Sequence, residues 1–261
     1  MRAPLLALAR ANMRRMSTAA SIAHAQESLR IADAVCFDFD STLIDEEGID
    51  VLAAHCGAGE AVAAWTRKAM GGDVKFEDAL EARLKLIEPS TRDVAACLAA
   101  HPPRLVDDAA ALIRSLTARG TAVYVVSGGL RNMIEPTASE LLGVPPERVF
   151  ANTILFNDDG SYAGFDATEP TSRDGGKPAV IARLKAAGAK TVVMVGDGAT
   201  DAQAKPPADA FVGFGGVVVR DVVKAKADWF VTSLADLRAA LGTAVRPADN
   251  ALGGSPVQSI E

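Results

Sequence analysis

The sequence predicts an α/β protein built on a doubly wound parallel sheet. From residue 33 onward, short apolar runs rich in β-branched residues alternate with amphipathic helical patterns. The composition agrees with a folded core, since 49% of the 261 residues are hydrophobic and 23% are charged. A chain of this length can bury a full core and still form a smaller second lobe.

The predicted strands are apolar runs with the length of buried parallel strands, and amphipathic helices separate them. The helices predicted over Asp108 to Arg119 and Lys177 to Ala187 are each followed by a glycine, which suits a helix C terminus. This alternation predicts a Rossmann-like sheet, in which ligands bind beyond the carboxyl ends of the strands. The strand runs are Ala34 to Phe37, Ala122 to Val126, Val192 to Val195, Ala210 to Val212 and Trp229 to Val231.

Two stretches interrupt the alternation. Residues 46–101 contain only helical patterns and are predicted to form a helical cap, inserted after the first strand and lying over the mouth of the site. Residues 149–166 are predicted to form a small β-hairpin that turns at Asn157 to Gly160. We therefore expect a catalytic core of residues 27–45 and 102–241, a cap of residues 46–101, and a flexible C-terminal tail of residues 242–261.

The first 26 residues differ from the rest of the chain. They contain four arginines, several Ser, Thr and Ala residues, and no acidic residue, which is the composition of an organellar transit peptide. A tail without fixed structure, or the first helix of the domain, remains the alternative. Enrichment in Ala, Ser and Arg favours the chloroplast as the destination, with the mitochondrion second.

Charge and cysteine content exclude several classes of function. Without the four arginines of this segment, 23 basic residues face 33 acidic ones, and the formal net charge moves from −6 to −10. Such an acidic chain argues against nucleic-acid binding, and no apolar run has the length of a membrane span. The three cysteines and three histidines are scattered, which argues against a disulfide framework, a zinc site or a histidine metal cluster.

Polar motifs follow three of the predicted strands, and the carboxyl ends of parallel strands meet at one crevice. Asp38 and Asp40 are two residues apart, so both side chains can face that crevice. Together with Asp197 and Asp201 they would repel one another unless a cation or a proton intervened. A hard divalent ion such as Mg2+ relieves this repulsion and also accepts phosphate oxygens. The motifs are Asp38-Phe39-Asp40-Ser41-Thr42, Ser127-Gly128-Gly129 and Gly196-Asp197-Gly198-Ala199-Thr200-Asp201.

These motifs resemble those of the haloacid dehalogenase superfamily of phosphatases, and in particular its phosphoserine phosphatase family. The resemblance covers residues 32–241. The superfamily match lies in Asp38 to Thr42, Ser127, Lys177 and Gly196 to Asp201. The narrower match lies in Glu46 to Asp50, Ala69 to Gly72, Arg83-Leu84 with Leu86-Ile87, Ser127 to Gly129 and Tyr162 to Asp166.

The resemblance implies a Mg2+-dependent hydrolysis of O-phospho-L-serine to L-serine, the last step of the phosphorylated pathway of serine biosynthesis. Asp38 would attack phosphorus and become an acyl phosphate, while Asp40 would act as general acid and then general base. Lys177 and Ser127 would bind the phosphoryl oxygens. The metal ligands implied are Asp38, Asp40, Asp197 and Asp201, the last one either directly or through water.

The resemblance also assigns substrate contacts, most of them in the cap. Arg83 would bind the substrate carboxylate and Glu47 would face its ammonium group, although from the residues alone Arg83 fits an internal ion pair or a snorkelling side chain equally well. Phe76 lies on the apolar stripe of the same predicted helix and would contribute to the core and in part to a lid. The remaining substrate contacts implied are Ser41, Met70, Gly71, Gly128, Gly129 and Thr200.

Other functions remain open at this level. A related phosphatase could act on another small phosphate ester, or a phosphotransferase could pass the phosphoryl group to an alcohol. A signalling receiver domain also phosphorylates an aspartate beside acidic metal ligands, but such a module lacks a second aspartate two residues on and a helical cap. We expect a small-molecule substrate, no nucleic-acid or membrane partner, and a monomer or homodimer.

Overall fold

A six-stranded sheet with all strands parallel forms the centre of the protein. The structure is a computed structural model and describes residues 18–70 and 74–242. Strands and helices are numbered in chain order. Across the sheet the strands are β3 (Val149–Asn152), β2 (Ala122–Leu130), β1 (Ala34–Phe37), β6 (Val192–Gly196), β7 (Ala210–Phe214) and β8 (Trp229–Val231).

The order of the strands reverses at β1. The chain runs from β1 outward through β2 to β3, and then returns to the opposite side of β1 to form β6. Phe37, the last residue of β1, pairs with Val125 of β2 and Val195 of β6. The crevice beyond the carboxyl ends of β1 and β6 is thus a topological switch point, where ligands bind in sheets of this kind.

Helices cover both faces of the sheet, so the predicted doubly wound architecture is confirmed. Val35 and Phe37 of β1 pack into one apolar cluster, while Ala34 and Cys36 pack into the other, as the two-residue repeat of a strand requires. Helices α1 (18–31), α6 (Ala109–Ala118), α7 (Arg131–Leu142) and α11 (Leu234–Leu241) contribute to the first cluster, and α8 (Gly176–Ala186), α9 (Ala199–Gln203) and α10 (Asp221–Lys226) contribute to the second.

A lobe of four helices follows β1, at the position where the sequence predicts a cap. The lobe has its own apolar cluster and is linked to the core by two neighbouring chain segments. Where these segments pass each other, Ile44 and Leu105 form an antiparallel bridge, and Arg104 forms a salt bridge of 2.9 Å with Asp45. The helices of the lobe are α2 (Gly48–His55), α3 (Gly59–Met70), α4 (Phe76–Ile87) and α5 (Thr91–Ala100).

The predicted hairpin is shorter than residues 149–166. Only β4 (Ile154–Phe156) and β5 (Tyr162–Phe165) form it, and Gly160 N donates to Asn157 O at the turn over 2.8 Å. Val149–Asn152 instead extends the parallel sheet as β3, beside β2. The prediction was wrong there because the apolar run continues almost unbroken from β3 into β4, and periodicity alone cannot divide such a run.

Helix α1 bears on the segment expected to be a transit peptide. Ala25 in this helix is fully buried in the core, and Ser21 Oγ donates to Asp228 O over 2.9 Å. The boundary expected at residue 26 therefore falls inside a helix that packs against the sheet, so a removable segment must end before this helix. Residues 1–17 and the tail beyond residue 242 lie outside the described residues. No helix in the described part of the chain is long and apolar enough to cross a membrane.

We predict that a chain starting at residue 18 melts within about 2 °C of the full-length protein, whereas one starting at residue 27 melts about 5–10 °C lower. The shorter chain loses the core contacts of Ile22 and Ala25, worth roughly 2–3 kcal/mol. Thermal denaturation followed by circular dichroism measures both values. Equal melting temperatures for the two truncated chains would contradict the role of α1.

A reporter fused to residues 1–26 should enter an organelle, and a cytosolic reporter would refute targeting.

Candidate active site

Three acidic side chains meet at the switch point of the sheet. Asp38 follows β1 directly, and its N–H donates to Val195 O of β6 over 2.9 Å. Asp197 follows β6, and Asp201 lies on the short helix after it. The three carboxylates each place an oxygen within 4.8 Å of the other two, and they form the carboxylate triad Asp38, Asp197 and Asp201. The shared edge predicted from the sequence thus brings these three residues together.

Neighbouring groups hold each carboxylate of the triad. Thr42 Oγ1 donates to Asp197 Oδ1 over 2.8 Å, and Gly198 N donates to Asp201 Oδ2 over 2.8 Å. Phe39 N donates to Asp38 Oδ1 over 2.7 Å. These donors fix one oxygen of each carboxylate, and the other oxygen of each contacts a cationic side chain, Lys177 for Asp38 and Asp201 and Arg220 for Asp197.

Lys177 provides the positive charge beside the triad. Its Nζ lies 2.6 Å from Asp38 Oδ2 and 2.5 Å from Asp201 Oδ1, and its side chain is 6% exposed. Burial by itself disfavours the charged amine, but Asp201 and Asp38 outweigh that effect and raise the pKa of Lys177. The ammonium group is therefore charged. Together with Arg220, which forms an ion pair with Asp197, it offsets two of the three nearby negative charges.

The triad has the donor set of a site for a hard divalent cation. Burial and the neighbouring Asp38 raise the pKa of Asp201 to about 7, although Lys177 and the N–H of Gly198 oppose this shift. Such a shift means that negative charge is in excess when no metal is bound. All three side chains offer carboxylate oxygens and no thiolate or imidazole, which suits Mg2+, Mn2+ or Ca2+. The residues present fit a bound metal ion.

Asp40 lies outside the triad, although the sequence assigns it to the metal as well. Its Oδ1 accepts a hydrogen bond from Gly48 N over 2.9 Å, which turns the carboxyl group toward the start of the cap. Burial, then Glu47, and to a lesser extent Asp38 raise the pKa of Asp40 well above its ordinary value. A Cβ at position 129 would lie 2.4 Å from Asp40 Oδ2, so a larger residue there would displace that carboxyl group. Asp40 is thus a half-buried carboxyl group that holds a proton readily.

The second polar motif lines the same crevice. Ser127 is 1% exposed, and its Oγ accepts a hydrogen bond from Gly129 N over 3.0 Å. At Gly128 a Cβ would lie 2.8 Å from the ring of Phe76, so glycine allows the first turn of α4 to approach the core. Phe76, Gly128, Lys177 and Thr200 line one small cavity, which places Thr200 beside the lysine.

Glu47 and Ser41 lie where the chain enters the cap. Ser41 Oγ donates to Glu47 Oε1 over 2.8 Å, and Ser41 adopts a left-handed backbone conformation with φ 54°. Burial raises the pKa of Glu47, and Asp38 adds to this effect, whereas the hydrogen bond from Ser41 and the charge of Arg220 oppose it. An ammonium group near Glu47 would remove this electrostatic cost.

Arg83 of α4 is buried at 8% exposure. Its Nε donates to Ala79 O within the same helix over 3.1 Å, and no residue within 18–70 and 74–242 forms a salt bridge with its guanidinium group. Burial lowers the pKa of Arg83, although the charges of Asp50 and Glu47 oppose the shift. The described residues therefore support neither alternative for Arg83. Its guanidinium group has no ion-pair partner among them, and its side chain does not extend into solvent. Gly71 and the side chain of Met70 lie outside the described residues.

Arg220 joins the two halves of the site and was missed in the sequence. Its guanidinium group forms an ion pair with Asp197 and also donates to Asp197 O over 3.0 Å. The same group lies 3.8 Å from Glu47 Oε1. Arg220 follows β7, whose carboxyl end lies at the same edge of the sheet. Its position after a parallel strand could have identified it as a site residue. Thr42 lies within the first motif, but the motif did not predict its hydrogen bond to Asp197.

Comparison with known proteins identifies the family. A model of the haloacid dehalogenase-like hydrolases matches residues 32–207. A phosphoserine phosphatase from Bos taurus is 52% identical over 211 residues, which cover 80% of this chain and 93% of that protein. The chain belongs to the phosphoserine phosphatase family of haloacid dehalogenase-like hydrolases. A chloroplastic phosphoserine phosphatase from Arabidopsis thaliana is 50% identical over 205 residues, covering 77% of this chain and 69% of that protein.

A solved structure agrees with the family assignment. It is described as a phospho-aspartyl intermediate analogue of phosphoserine phosphatase and superimposes with a TM-score of 0.69. The sequences are 29% identical, and the superposition covers 79% of this chain and 97% of that one. The similarity therefore extends over nearly the whole of the compared enzyme, cap and core together.

We predict that the chelated protein loses stability as the pH rises from about 4 to 7. The folded state binds more protons than the unfolded chain in this window, because the pKa of Asp201 rises to about 7 on folding, and stability then falls with increasing pH. Melting temperatures measured in excess chelator across the window should decline for the unmodified protein. They should decline less for Asp201→Asn, whose amide does not titrate. An equal decline for Asp201→Asn and for the exposed control Asp158→Asn would contradict the assignment.

Proposed function

We propose that this protein is a Mg2+-dependent phosphatase that hydrolyses O-phospho-L-serine to L-serine and phosphate, with Asp38 as the residue that becomes phosphorylated. One observation supports this proposal above others. The buried, unpaired guanidinium group of Arg83 and the half-buried carboxyl group of Glu47 are close enough to Asp40 for their charges to perturb one another. The phosphoryl, ammonium and carboxylate groups of phosphoserine each find a complementary group in this arrangement.

The metal ion in this proposal would be held by Asp38, Asp197 and Asp201. When bound, it would neutralise the excess negative charge of the triad and act as a Lewis acid toward the phosphoryl group. Magnesium is preferred over a softer ion because every ligand of the triad is a carboxylate oxygen. Asp40 is assigned to proton transfer, since its carboxylate is bonded to Gly48 and lies outside the triad.

The nucleophile in this reaction is a carboxylate oxygen of Asp38. It attacks phosphorus and displaces the serine oxygen, so the P–O bond to serine breaks as an acyl phosphate forms. Lys177 contacts Asp38 through Oδ2 and offsets the charge that spreads over the phosphoryl oxygens. Ser127 Oγ, which accepts from the N–H of Gly129, is proposed to bind a phosphoryl oxygen from the same crevice.

Asp40 transfers the protons. Its raised pKa favours the protonated form, which donates its proton to the departing serine oxygen. The carboxylate that results then accepts a proton from the water that attacks the acyl phosphate, and Asp38 is regenerated. The start of α4 packs against Gly128 through Phe76, and this contact is proposed to shield the reacting groups from solvent.

The cap also selects the substrate. Arg83 binds the carboxylate of phosphoserine through two parallel hydrogen bonds, which removes the cost of a buried cation without a counter-ion. Glu47 binds the ammonium group and is held for this purpose by Ser41 and Arg220. The backbone around Met70 and Gly71 is proposed to complete the pocket. Since both charged residues lie in the lobe that follows β1, substrate binding favours closure of that lobe.

We also propose that the N-terminal segment directs the protein to an organelle, with the chloroplast preferred over the mitochondrion. The acid-free, arginine-rich composition of the first 26 residues supports this proposal. A chloroplastic relative at 50% identity supports the plastid in particular. The packing of α1 limits the cleaved segment to residues that precede this helix.

We predict that Asp38→Asn lowers kcat by roughly 10^4-fold or more and leaves the fold intact, because an amide cannot form the acyl phosphate. Steady-state release of phosphate from phosphoserine gives the rate, and circular dichroism checks the fold. Rapid acid quenching with labelled substrate should trap phosphorylated protein for the unmodified enzyme and none for the variant. Labelled Asp38→Asn protein, or full activity in excess chelator, would exclude this mechanism.

We predict that Arg83→Ala lowers kcat/KM for phosphoserine by roughly thirty-fold to several thousand-fold, the cost of about 2–5 kcal/mol for breaking a buried charge pair. Phosphoethanolamine has the phosphate and ammonium groups of phosphoserine but no carboxylate. The same substitution should therefore leave kcat/KM for phosphoethanolamine, already low, almost unchanged. Both values come from initial rates at saturating Mg2+.

The matched control for this experiment is Arg92→Ala, which removes an exposed arginine from the neighbouring cap helix and should leave both substrates unaffected. An equal loss for both substrates in Arg83→Ala would show that Arg83 supports the cap instead of binding the carboxylate. Equal turnover of both substrates by the unmodified enzyme would refute the choice of phosphoserine itself.

A further inference from the structure

Two of the three cysteines and two of the three histidines of the chain lie together at the base of the cap. His55 is the last residue of α2, and Cys56 follows it directly. Cys97 and His101 are one helical turn apart at the end of α5, where His101 N donates to Cys97 O over 2.8 Å. Residues four apart on a helix project on one face, so both side chains of α5 can reach toward the end of α2.

The two histidines are in direct contact. The ring centroids of His55 and His101 are 6.0 Å apart, and the rings meet edge to face at 81°. Two imidazoles bound to one tetrahedral ion, with metal–nitrogen distances of about 2.0–2.1 Å, have centroids roughly 5 Å apart. The observed separation of the two rings thus exceeds the separation in such a site by only about 1 Å.

Cys56 and Cys97, which neighbour the two histidines in the chain, are close to each other, and both are free thiols. Cys97 is fully buried in the apolar cluster of the cap, and Cys56 packs against the same cluster. Burial raises the pKa of Cys97, and the nearby Cys56 and Glu46 raise it further. Burial also raises the pKa of Cys56, with a smaller effect from Asp93. These acidic neighbours disfavour an isolated thiolate, but they favour a cation at the same place.

We propose that His55, Cys56, Cys97 and His101 form a second metal site, which binds a borderline or soft divalent cation of the Zn2+ class. Two thiols and two imidazoles are the ligand set of a closed, tetrahedral zinc site. On binding, each thiol releases one proton and each imidazole donates the lone pair of one ring nitrogen, so that two protons leave for each ion bound. The carboxylate triad, with oxygen ligands alone, prefers a different class of ion.

The site closes as the ion binds. In the described residues only the carboxylate triad brings three ligand atoms within 4.8 Å of one another, so the four side chains at the cap base must rotate inward. His101 is exposed and His55 is half-buried, which leaves both rings free to turn. The bound ion then joins the ends of α2 and α5, close to the bridge between Ile44 and Leu105 that connects cap and core. An ion there stiffens the cap at its base.

Cadmium binding to the reduced full-length protein tests this proposal. The titration uses CdCl2 in the presence of excess Mg2+, which occupies the carboxylate triad. A thiolate–cadmium charge-transfer band in the ultraviolet reports on the new site, because carboxylate ligands produce no such band. We expect saturation at one equivalent, with an affinity at least about 100-fold weaker in Cys56→Ser and in His101→Gln. Zn2+ should displace the cadmium and abolish the band.

The control variants change the one cysteine and the one histidine that are not part of the proposed site. His24→Gln and Cys36→Ala lie outside the cap and should leave the band and its affinity unchanged. His101 is exposed and Cys56 is half-buried, so their variants test the site even if Cys97→Ser fails to fold. The proposal is overturned if no band forms at one equivalent of Cd2+, or if the band survives unchanged in both Cys56→Ser and His101→Gln. A band that requires Cys36 overturns it as well.

Discussion

The charge balance at the switch point of the sheet is the constraint on which the site depends. Three carboxylates share a crevice with one buried ammonium group, and Lys177 contacts two of them directly. Burial makes each uncompensated charge expensive, so a proton or a cation must complete the balance. The donors that fix Asp197 and Asp201, from Thr42 and Gly198, keep the carboxylates in place despite their repulsion. The site is thus arranged for a metal ion and a phosphoryl group, at a cost to the stability of the empty protein.

Charges that are not fully compensated also occur in the cap. Arg83 is a buried cation without an ion-pair partner in the described chain, and Glu47 keeps a raised pKa although Arg220 lies nearby, so each would gain from a charged group of a ligand. Arg220 connects the two halves, because it contacts both Asp197 in the core and Glu47 at the start of the cap. The candidate metal site in the core and the start of the cap therefore share one cationic side chain.

The sheet topology explains why the motifs of the sequence converge. Strands β1, β2 and β6 are adjacent and parallel, so the segments that follow them emerge at one edge. That convergence was predictable, since alternating strands and helices leave few arrangements open. The course of residues 149–152 was not predictable in the same way. Their burial depends on pairing with β2 and on Asn152, whose side chain donates to Gly128 O over 2.8 Å across the sheet edge.

The sequence by itself determined the fold class, the lobe inserted after β1 and a set of four acidic residues that includes the carboxylate triad, because each depends on local periodicity or on the position of a motif after a strand. Only the tertiary structure decided how Asp40 differs from its neighbours, since its bond to Gly48 depends on how the cap joins the core. The packing of α1, the contacts of Arg220 and the meeting of His55 with His101 were likewise decided there. Each joins residues far apart in the chain, and no local pattern encodes the distance between them.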